Sequence, residues 1–269
     1  MPDKADQQGD TYIFQNAGQQ TADRFSGLAA VFDPGSFRHL TALDVATGWH
    51  CLEVGGGGGS VARWLSEQVG ANGKVLVTDI DPRHLGHLTQ ANVSVQPHDI
   101  TCDPLPESAF DLIHVRLVLH HLPQREQVLA RLVTALKPGG WLLAEEFDGL
   151  SLPSDPALYP GETSLKLQTA LQRLMSERGA DTAYGRRLPV RFAAHNLVNV
   201  EAEGQVFFWH GGSAGAQIMR ANYLQLQDAI LAGRYITAVE LAEELQSLEN
   251  PTTQILSPVM WAVRGQRPN

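Results

Sequence analysis

At 269 residues, 43% of them hydrophobic and 18% charged, the chain is long enough for one large domain, or a domain with a lid, and can bury a full core. Twenty Lys and Arg against 29 Asp and Glu leave a formal net charge of −9, which argues against a broad nucleic-acid surface, because phosphate binding draws on Lys and Arg. No apolar run reaches the roughly 18 residues of a membrane span, no charged-then-apolar leader opens the chain, and two cysteines make no disulfide framework, so a cytoplasmic protein without a membrane partner is expected.

In chain order, residues 1–11 read as a loose tail. Phe25, Leu28, Ala29 and Phe32 stand at helical spacing, and Asp33-Pro34-Gly35 is expected to end that helix. A short second helix then carries Phe37, Leu40 and Leu43. Residues 51–54 form a strand that runs into five glycines. Ser60 is placed to cap the next helix, whose stripe is Val61, Trp64, Leu65 and Val69 and whose stop is Gly70. Further strands are expected at 74–78, 93–96, 110–116 and 141–145. Asp81-Pro82 opens a helix between two of them, Pro123 suits the first turn of another that runs to Leu136, and Pro138-Gly139-Gly140 turns the chain. Such alternation predicts a parallel sheet covered on both faces.

The second half follows a different pattern. Leu165, Leu167, Leu171 and Leu174 predict a helix, and 198–209 a strand. Helices follow at about 214–232 and 238–249, the second opened by the capping pair Thr237 and Glu240. Residues 254–263 read as a last strand, in which Pro258 demands an edge or a bulge. The expected fold class is α/β, a seven-stranded mostly parallel sheet flanked by helices, with an inserted helical lid. Residues 12–148 form a cofactor-binding core with N-terminal lid helices. Residues 149–269 supply the last strands and a helical substrate-binding cap at about 213–250. Plain covering of the core is the other reading of those inserted helices.

The strongest chemical signal is Leu52-Glu53-Val54-Gly55-Gly56-Gly57-Gly58-Gly59-Ser60. A strand that turns sharply against a ligand needs residues without Cβ, and the N–H groups at the start of the next helix favour an anionic or polar ligand group. Nicotinamide-dinucleotide enzymes use such a turn as well. Three acids narrow the choice. Glu53 precedes the first glycine by two residues. Asp79 ends the second strand, 24 residues beyond Gly55, where a carboxylate can accept both ribose hydroxyls. Asp99, in His98-Asp99-Ile100 after the third strand, offers a carboxylate to an adenine amino group. Each acid alone reads equally as a solvated loop residue or a helix cap; together, on consecutive strand ends, they point to a nucleoside site.

Residues 12–148 resemble the class I, Rossmann-like S-adenosylmethionine-dependent methyltransferase domain, especially the small-molecule methyltransferases of bacterial metabolism. The motifs that carry the likeness are Leu52 to Ser60, Val77-Thr78-Asp79-Ile80-Asp81, Asp99-Ile100, Leu119-His120-His121-Leu122-Pro123 and Leu136-Lys137-Pro138-Gly139-Gly140-Trp141. The resemblance implies S-adenosylmethionine as cofactor and S-adenosylhomocysteine as product. It assigns Gly55 and Gly57 to the methionine moiety, with Glu53 beneath ordering the loop. Asp79 falls to the ribose, Ile80 and Ile100 to the two faces of the adenine, Asp99 to its amino group, and the Arg116 carbonyl to the methionine ammonium. Tyr12 and Arg24, on an N-terminal helix that closes the site, are the candidates for the methionine carboxylate. Five glycines are more than the family pattern needs, which predicts a loop that moves before cofactor binds.

In such an enzyme the protein mainly aligns a nucleophile with the methyl group. His120 is the first candidate for base or substrate hydrogen bond. His121, within His-Leu-Pro, is expected to organise the loop, and loop organisation alone is the simpler reading of both. Glu145 and Glu146 end strand five on opposite faces, and Glu146 is the candidate that faces the substrate. Arg186-Arg187 and Trp209-His210 are further candidates, with a solvated pair and a core tryptophan as their plainer readings. No metal is expected, since no His-Glu-x-x-His spacing occurs and the cysteines are far apart. The partner is a small-molecule acceptor methylated on O, N or C, and the chain is read as a monomer or homodimer. Two rivals stand. One is an NAD(P)-dependent oxidoreductase, although Ser60 occupies the place of its last glycine. The other is a methyltransferase fold that binds the cofactor without methyl transfer, as a scaffold or cyclase.

Overall fold

The structure, a computed structural model, describes residues 20–151 and 162–269. Tyr12 and the tail of 1–11 lie outside the described residues.

Seven strands form one sheet in the order β3-β2-β1-β4-β5-β9-β6. The strands are β1 His50–Val54, β2 Lys74–Asp79, β3 Val93–Pro97, β4 Phe110–Arg116, β5 Leu136–Asp148, β6 Val198–Gln205 and β9 Val259–Gln266. The pairs β1/β2, β1/β4, β2/β3 and β4/β5 are parallel. β9 runs antiparallel between β5 and β6. A separate two-stranded sheet joins β7 Phe208–His210 to β8 Gln254–Leu256.

The central strands read as apolar runs because helices cover both faces. Leu52, Val54, Ile113, Val115, Leu142 and Ala144 point to the face covered by α3 (Arg125–Ala135) and α5 (Tyr184–Ala194). Cys51, Leu112 and Leu143 point to the other, under α2 (Ser60–Val69) and the last turns of α1 (Gln20–Thr41). A second core sits off the sheet edge. There Phe32 of α1 packs with residues of α4 (Glu162–Glu177), α6 (Ala214–Ala232) and α7 (Ala238–Ser247). These helices pack around a cluster separate from the two that flank the sheet, and it also takes in Met260 of β9.

Several local expectations are corrected. α1 does not stop at Asp33-Pro34-Gly35; Pro34 lies inside one continuous helix. A proline removes one helical hydrogen bond and costs about 3 kcal/mol in a helix interior. Anchors on both sides of Pro34 offset this: Phe32 is buried in the cap, and Ser36 and Leu40 are buried against the sheet. Ser60 does not cap α2; Gly59, at φ 77, is the cap and makes no side-chain bond. Asp81-Pro82 opens only a 3-10 turn, Pro82–Leu85. The turn expected at Pro138-Gly139-Gly140 belongs to β5, because Gly139 and Gly140 exchange backbone hydrogen bonds with Arg267. The strands expected at 198–209 and 254–263 each split in two, with Pro258 at the break that sends β8 and β9 into different sheets. Helix α5 was not foreseen. The capping box of Thr237 and Glu240 is present.

Candidate active site

The site lies where the strand order reverses, between the carboxyl ends of β1 and β4, which is where open α/β sheets hold ligands. Gly55 and Gly57 take φ of 70 and 51, a region that L side chains rarely enter. The loop is also too close-packed for side chains. A Cβ on Gly55 would stand 2.4 Å from Val118 Cγ2, and one on Gly57 would stand 3.3 Å from the Phe25 ring. The glycine loop thus touches α1 on one side and the segment after β4 on the other. The N–H groups of Gly55 and Gly56 donate to the Thr78 carbonyl, which ties the loop to the end of β2.

Asp79 is the last residue of β2 and is largely buried. Gly57 N–H donates to Oδ2 at 3.0 Å and Asp81 N–H to Oδ1 at 2.9 Å. Burial pushes its carboxyl up, while these two backbone bonds pull it down. A carboxylate has about four acceptor positions, so each oxygen keeps one for a further donor. Ile80, next to it, is 44% exposed. Ile100 is buried in the main core, so of the two isoleucines only Ile80 presents open apolar surface to a ring. Asp99 Oδ1 accepts from the Thr101 N–H and hydroxyl at 2.8 and 2.6 Å. Its Oδ2 accepts the Cys102 thiol at 3.2 Å.

Glu53 is not beneath the glycine loop by itself. It ends in a buried network that the sequence reading missed. His114, fully buried on β4, donates from Nδ1 to Glu53 Oε2 at 2.7 Å and from Nε2 to Glu145 Oε2 at 2.9 Å. The same Glu145 oxygen accepts the Ser36 hydroxyl at 2.5 Å. Arg116 donates to Ser36 Oγ at 2.8 Å and to Asp33 Oδ1 at 2.9 Å. Burial lowers the pKa of the imidazole, but the two carboxylates outweigh it and hold His114 up at about 9. Burial raises Glu145 and the His114 contacts bring it down. His114 is therefore an imidazolium between two anions, and the chain of contacts runs from the cofactor-loop strand to α1. The Arg116 side chain serves this network. The signal in the sequence was a lone His within Ile113-His114-Val115 facing two acids on neighbouring strands, and register alone brings them together.

Glu146, on the opposite face, works differently. Its Oε1 accepts the N–H groups of Val118 and Leu119 at 3.1 and 2.7 Å, and its Oε2 accepts His120 Nδ1–H. Glu146 is fully buried; it holds the turn after β4 and orients His120, and does not face a substrate. Leu117, at φ 55, makes the sharp change of direction that presents those N–H groups. His121 stacks on His120 with ring centroids 3.8 Å apart. Burial, then His120 and Arg24, hold it well below the usual imidazole range, so it is neutral.

His120 and His121 form one end of a cavity of about 170 Å³. Three helices each turn one face to it. α1 supplies Arg24, Leu28 and Phe32, at spacings of four. α4 supplies Gln168, Leu171, Gln172 and Met175, and α6 supplies Ile218, Met219, Asn222 and Tyr223. Leu117 and Phe147 form the sheet side, and Trp209 closes the far side. Thus Arg24 lines the cavity, while its neighbour Phe25 meets the glycine loop. Trp209 is both a core residue and a cavity wall. Arg186 and Arg187 are placed outside the cavity lining, paired with Asp148 (2.6 Å) and Asp181. Glu145 and Glu146 both lie behind the walls. No described helix is long and apolar enough to cross a membrane.

Residues 52–142 match the family described as a methyltransferase domain. Among curated proteins, methyltransferase str2 of Strobilurus tenacellus is 36% identical over 157 residues, 55% of this chain and 53% of that protein. The ubiquinone/menaquinone biosynthesis C-methyltransferase UbiE of Bordetella parapertussis is 33% identical over 121 residues, 42% of this chain and 46% of its own. The chain thus spans about half the length of the curated relatives it matches. Among solved structures, phosphoethanolamine N-methyltransferase 2 of Haemonchus contortus, in complex with phosphomonomethylethanolamine and S-adenosylhomocysteine, superposes with a TM-score of 0.57 at 16% identity, covering 94% of this chain and 59% of that one. The YcgJ protein of Bacillus subtilis gives 0.56 at 15% identity, over 86% and 99%. At these identities the structures speak for the fold. Fold, glycine loop and matched sequence agree: residues 52–142 carry a methyltransferase domain, set in a class I, Rossmann-like fold.

Proposed function

We propose that this chain binds S-adenosylmethionine in the crevice above β1, β2 and β4 and passes its methyl group to a small molecule held in the adjoining cavity. One observation carries the reading. A crevice that fits a nucleoside and a cavity walled by a carboxylate-backed histidine meet at a single segment, residues 117–121, at the end of β4.

The residues present fit the cofactor. Gly55 and Gly57 leave room for close approach of the methionine part, and Asp79 keeps an acceptor position on each oxygen for the ribose hydroxyls. Ile80 offers apolar surface to the adenine, with Asp99 Oδ2 as acceptor for its amino group. Arg24 and the Arg116 carbonyl stand toward the amino-acid end. When bound, S-adenosylmethionine supplies a methyl group made electrophilic by a sulfonium. The protein's part is alignment, exclusion of water and removal of a proton. Glu146 accepts Nδ1–H of His120, which fixes the tautomer and leaves Nε2 as the basic nitrogen. His120 Nε2 then takes the acceptor's proton, and Glu146 stabilises the resulting imidazolium. The apolar walls from α1, α4 and α6 exclude water, and His121 stays neutral beside it.

Calorimetric titration of the purified chain with S-adenosylmethionine and S-adenosylhomocysteine tests the first half. A screen of small acceptors with methyl-labelled cofactor tests the second. A chain that binds neither compound removes the reading.

A further inference from the structure

The cavity says more about the acceptor than that it is small. Its volume, about 170 Å³, is close to that of apolar protein cavities of about 150 Å³ that admit benzene. Its walls are leucine, isoleucine, methionine and aromatic side chains from three helices. A compact molecule built on one ring fits that space; a long-chain or multiply charged one does not. Polar groups line it as well, Gln168, Gln172, Thr182 and Tyr223 among them. At one end are His120, His121 and the Arg24 guanidinium. On α6, Asn222 Oδ1 is buried and has no hydrogen-bond partner among the described residues. A buried acceptor in that state costs free energy unless a ligand donates to it.

We infer that the acceptor is a neutral, ring-sized hydroxy compound of the phenol or enol class, methylated on oxygen at the His120 end and read by Asn222 through a second, hydrogen-bond-donating group. An ammonium acceptor would lose its solvation to apolar walls. A hydroxyl enters neutral and needs a base as it is methylated, which His120 Nε2 supplies. In the step, the hydroxyl proton goes to His120 Nε2, and an oxygen lone pair forms the new bond to the methyl carbon. The carbon–sulfur bond breaks with both electrons left on sulfur, and the products are a methyl ether and a neutral thioether. This inference rests on the proposed methyl transfer.

The test uses the full chain saturated with S-adenosylhomocysteine, titrated calorimetrically with three sets of probes: the ethylphenol isomers, the (hydroxymethyl)phenol isomers, and 4-methylbenzylamine as the cation. The ethylphenols should bind at least about tenfold tighter than the amine. The best (hydroxymethyl)phenol should gain about twofold to tenfold over its ethyl counterpart, the worth of one net hydrogen bond. That gain should vanish in Asn222→Leu, which keeps the volume and removes the acceptor. With methyl-labelled cofactor, the label should appear in an aryl methyl ether. Amine binding as tight as phenol binding, or label on nitrogen or carbon, overturns the inference and leaves the methyltransferase reading standing. Phenols that fail to bind a protein that does bind cofactor overturn it too. Failure to bind S-adenosylmethionine at all removes both. Should Asn222→Leu not fold, the phenol-against-amine comparison on the native chain still decides.

Discussion

Two histidines on one stretch of chain, six residues apart, are each held by one of two adjacent glutamates, yet their surroundings give them opposite work. His114 has a carboxylate on both nitrogens, no exposure and no cavity in front of it. His120 has one carboxylate behind Nδ1 and a cavity wall for a position. The pair of Glu145 and Glu146 makes the difference, because neighbours on a strand face opposite sides of a sheet. On one side the imidazole meets two anions and is kept charged, as a joint between β1, β5 and α1. On the other it meets one anion and an apolar space, which suits a group that must take up a proton and give it back. A histidine–carboxylate contact by itself therefore does not mark catalysis, and the proposed role of His120 rests on the open cavity at its second nitrogen.

The sharpest way to break this contrast is to remove His114. His114→Ala leaves Glu53 and Glu145 buried without their common cation, and breaking a buried ion pair in this way costs roughly 3–5 kcal/mol. Urea unfolding of the variant should show that loss. A variant of unchanged stability would mean that the network is solvated and that the two histidines differ less than argued.

Removing His120 should do the reverse, with little effect on stability and a large one on rate. A positioned base contributes about 10²–10⁴-fold, so His120→Ala should lower turnover by at least about a hundredfold. His120→Gln should rescue little if Nε2 takes the proton. Recovery of most of the rate by Gln, with an unchanged pH profile, would make His120 an orienting group instead. Glu146→Gln, which keeps an acceptor for the backbone N–H groups, should lower turnover by about tenfold and leave cofactor affinity nearly constant, as expected for a positioning residue.

The cofactor side of the segment is probed at Asp79. Its hydrogen bonds to a ligand are worth roughly 1.5–3 kcal/mol, so Asp79→Ala should weaken S-adenosylmethionine binding by about ten- to a hundredfold. Calorimetry with an intact fold and unchanged affinity would exclude Asp79 as an anchor.

The mildest effect is on pH dependence. The folded-state pKa of His114, about 9, lies above the ordinary 6.5. Its contribution is thus fully present below about 6.5 and is lost as pH rises through about 9. Glu145 is shifted down by the same contacts, so its contribution is present above the usual carboxylate range and lost as pH falls below it. The two shifts describe one interaction and are not added. Stability should therefore decline on the alkaline side between about 6.5 and 9, and the decline should be absent in His114→Ala. An identical alkaline slope in both proteins would assign it to other groups.

Much of this was legible in the sequence, for reasons that are local. Strand and helix periods, the five glycines, and acids at the ends of successive strands are read from residues within a few positions of one another. They located β1 to β5, the crevice, and the segment around His120. The places where local reading failed share a cause. Pro34 says stop to a helix, but burial of Phe32 on one side and Leu40 on the other keeps α1 continuous. Gly139 and Gly140 say turn, but pairing with Arg267 keeps β5 extended. His114 looked like one polar residue in an apolar strand, because its partners lie 61 and 31 positions away and only strand register brings them within 3 Å. Glu146 was legible as the acid on the other face of the strand end, but not as the residue that grips the turn and His120 behind the wall. The cavity was not legible at all: α1, α4 and α6 each contribute one face, and no spacing within a single helix tells which faces will meet. What the sequence by itself determined was the alternation of strands and helices through β5 and the glycine turn with acids at the strand ends, since these follow from patterns that repeat every two or every 3.6 residues or lie within a few positions. What only the tertiary structure decided was which buried acid holds which histidine and which helix faces enclose the cavity, since those contacts join residues that the chain keeps far apart.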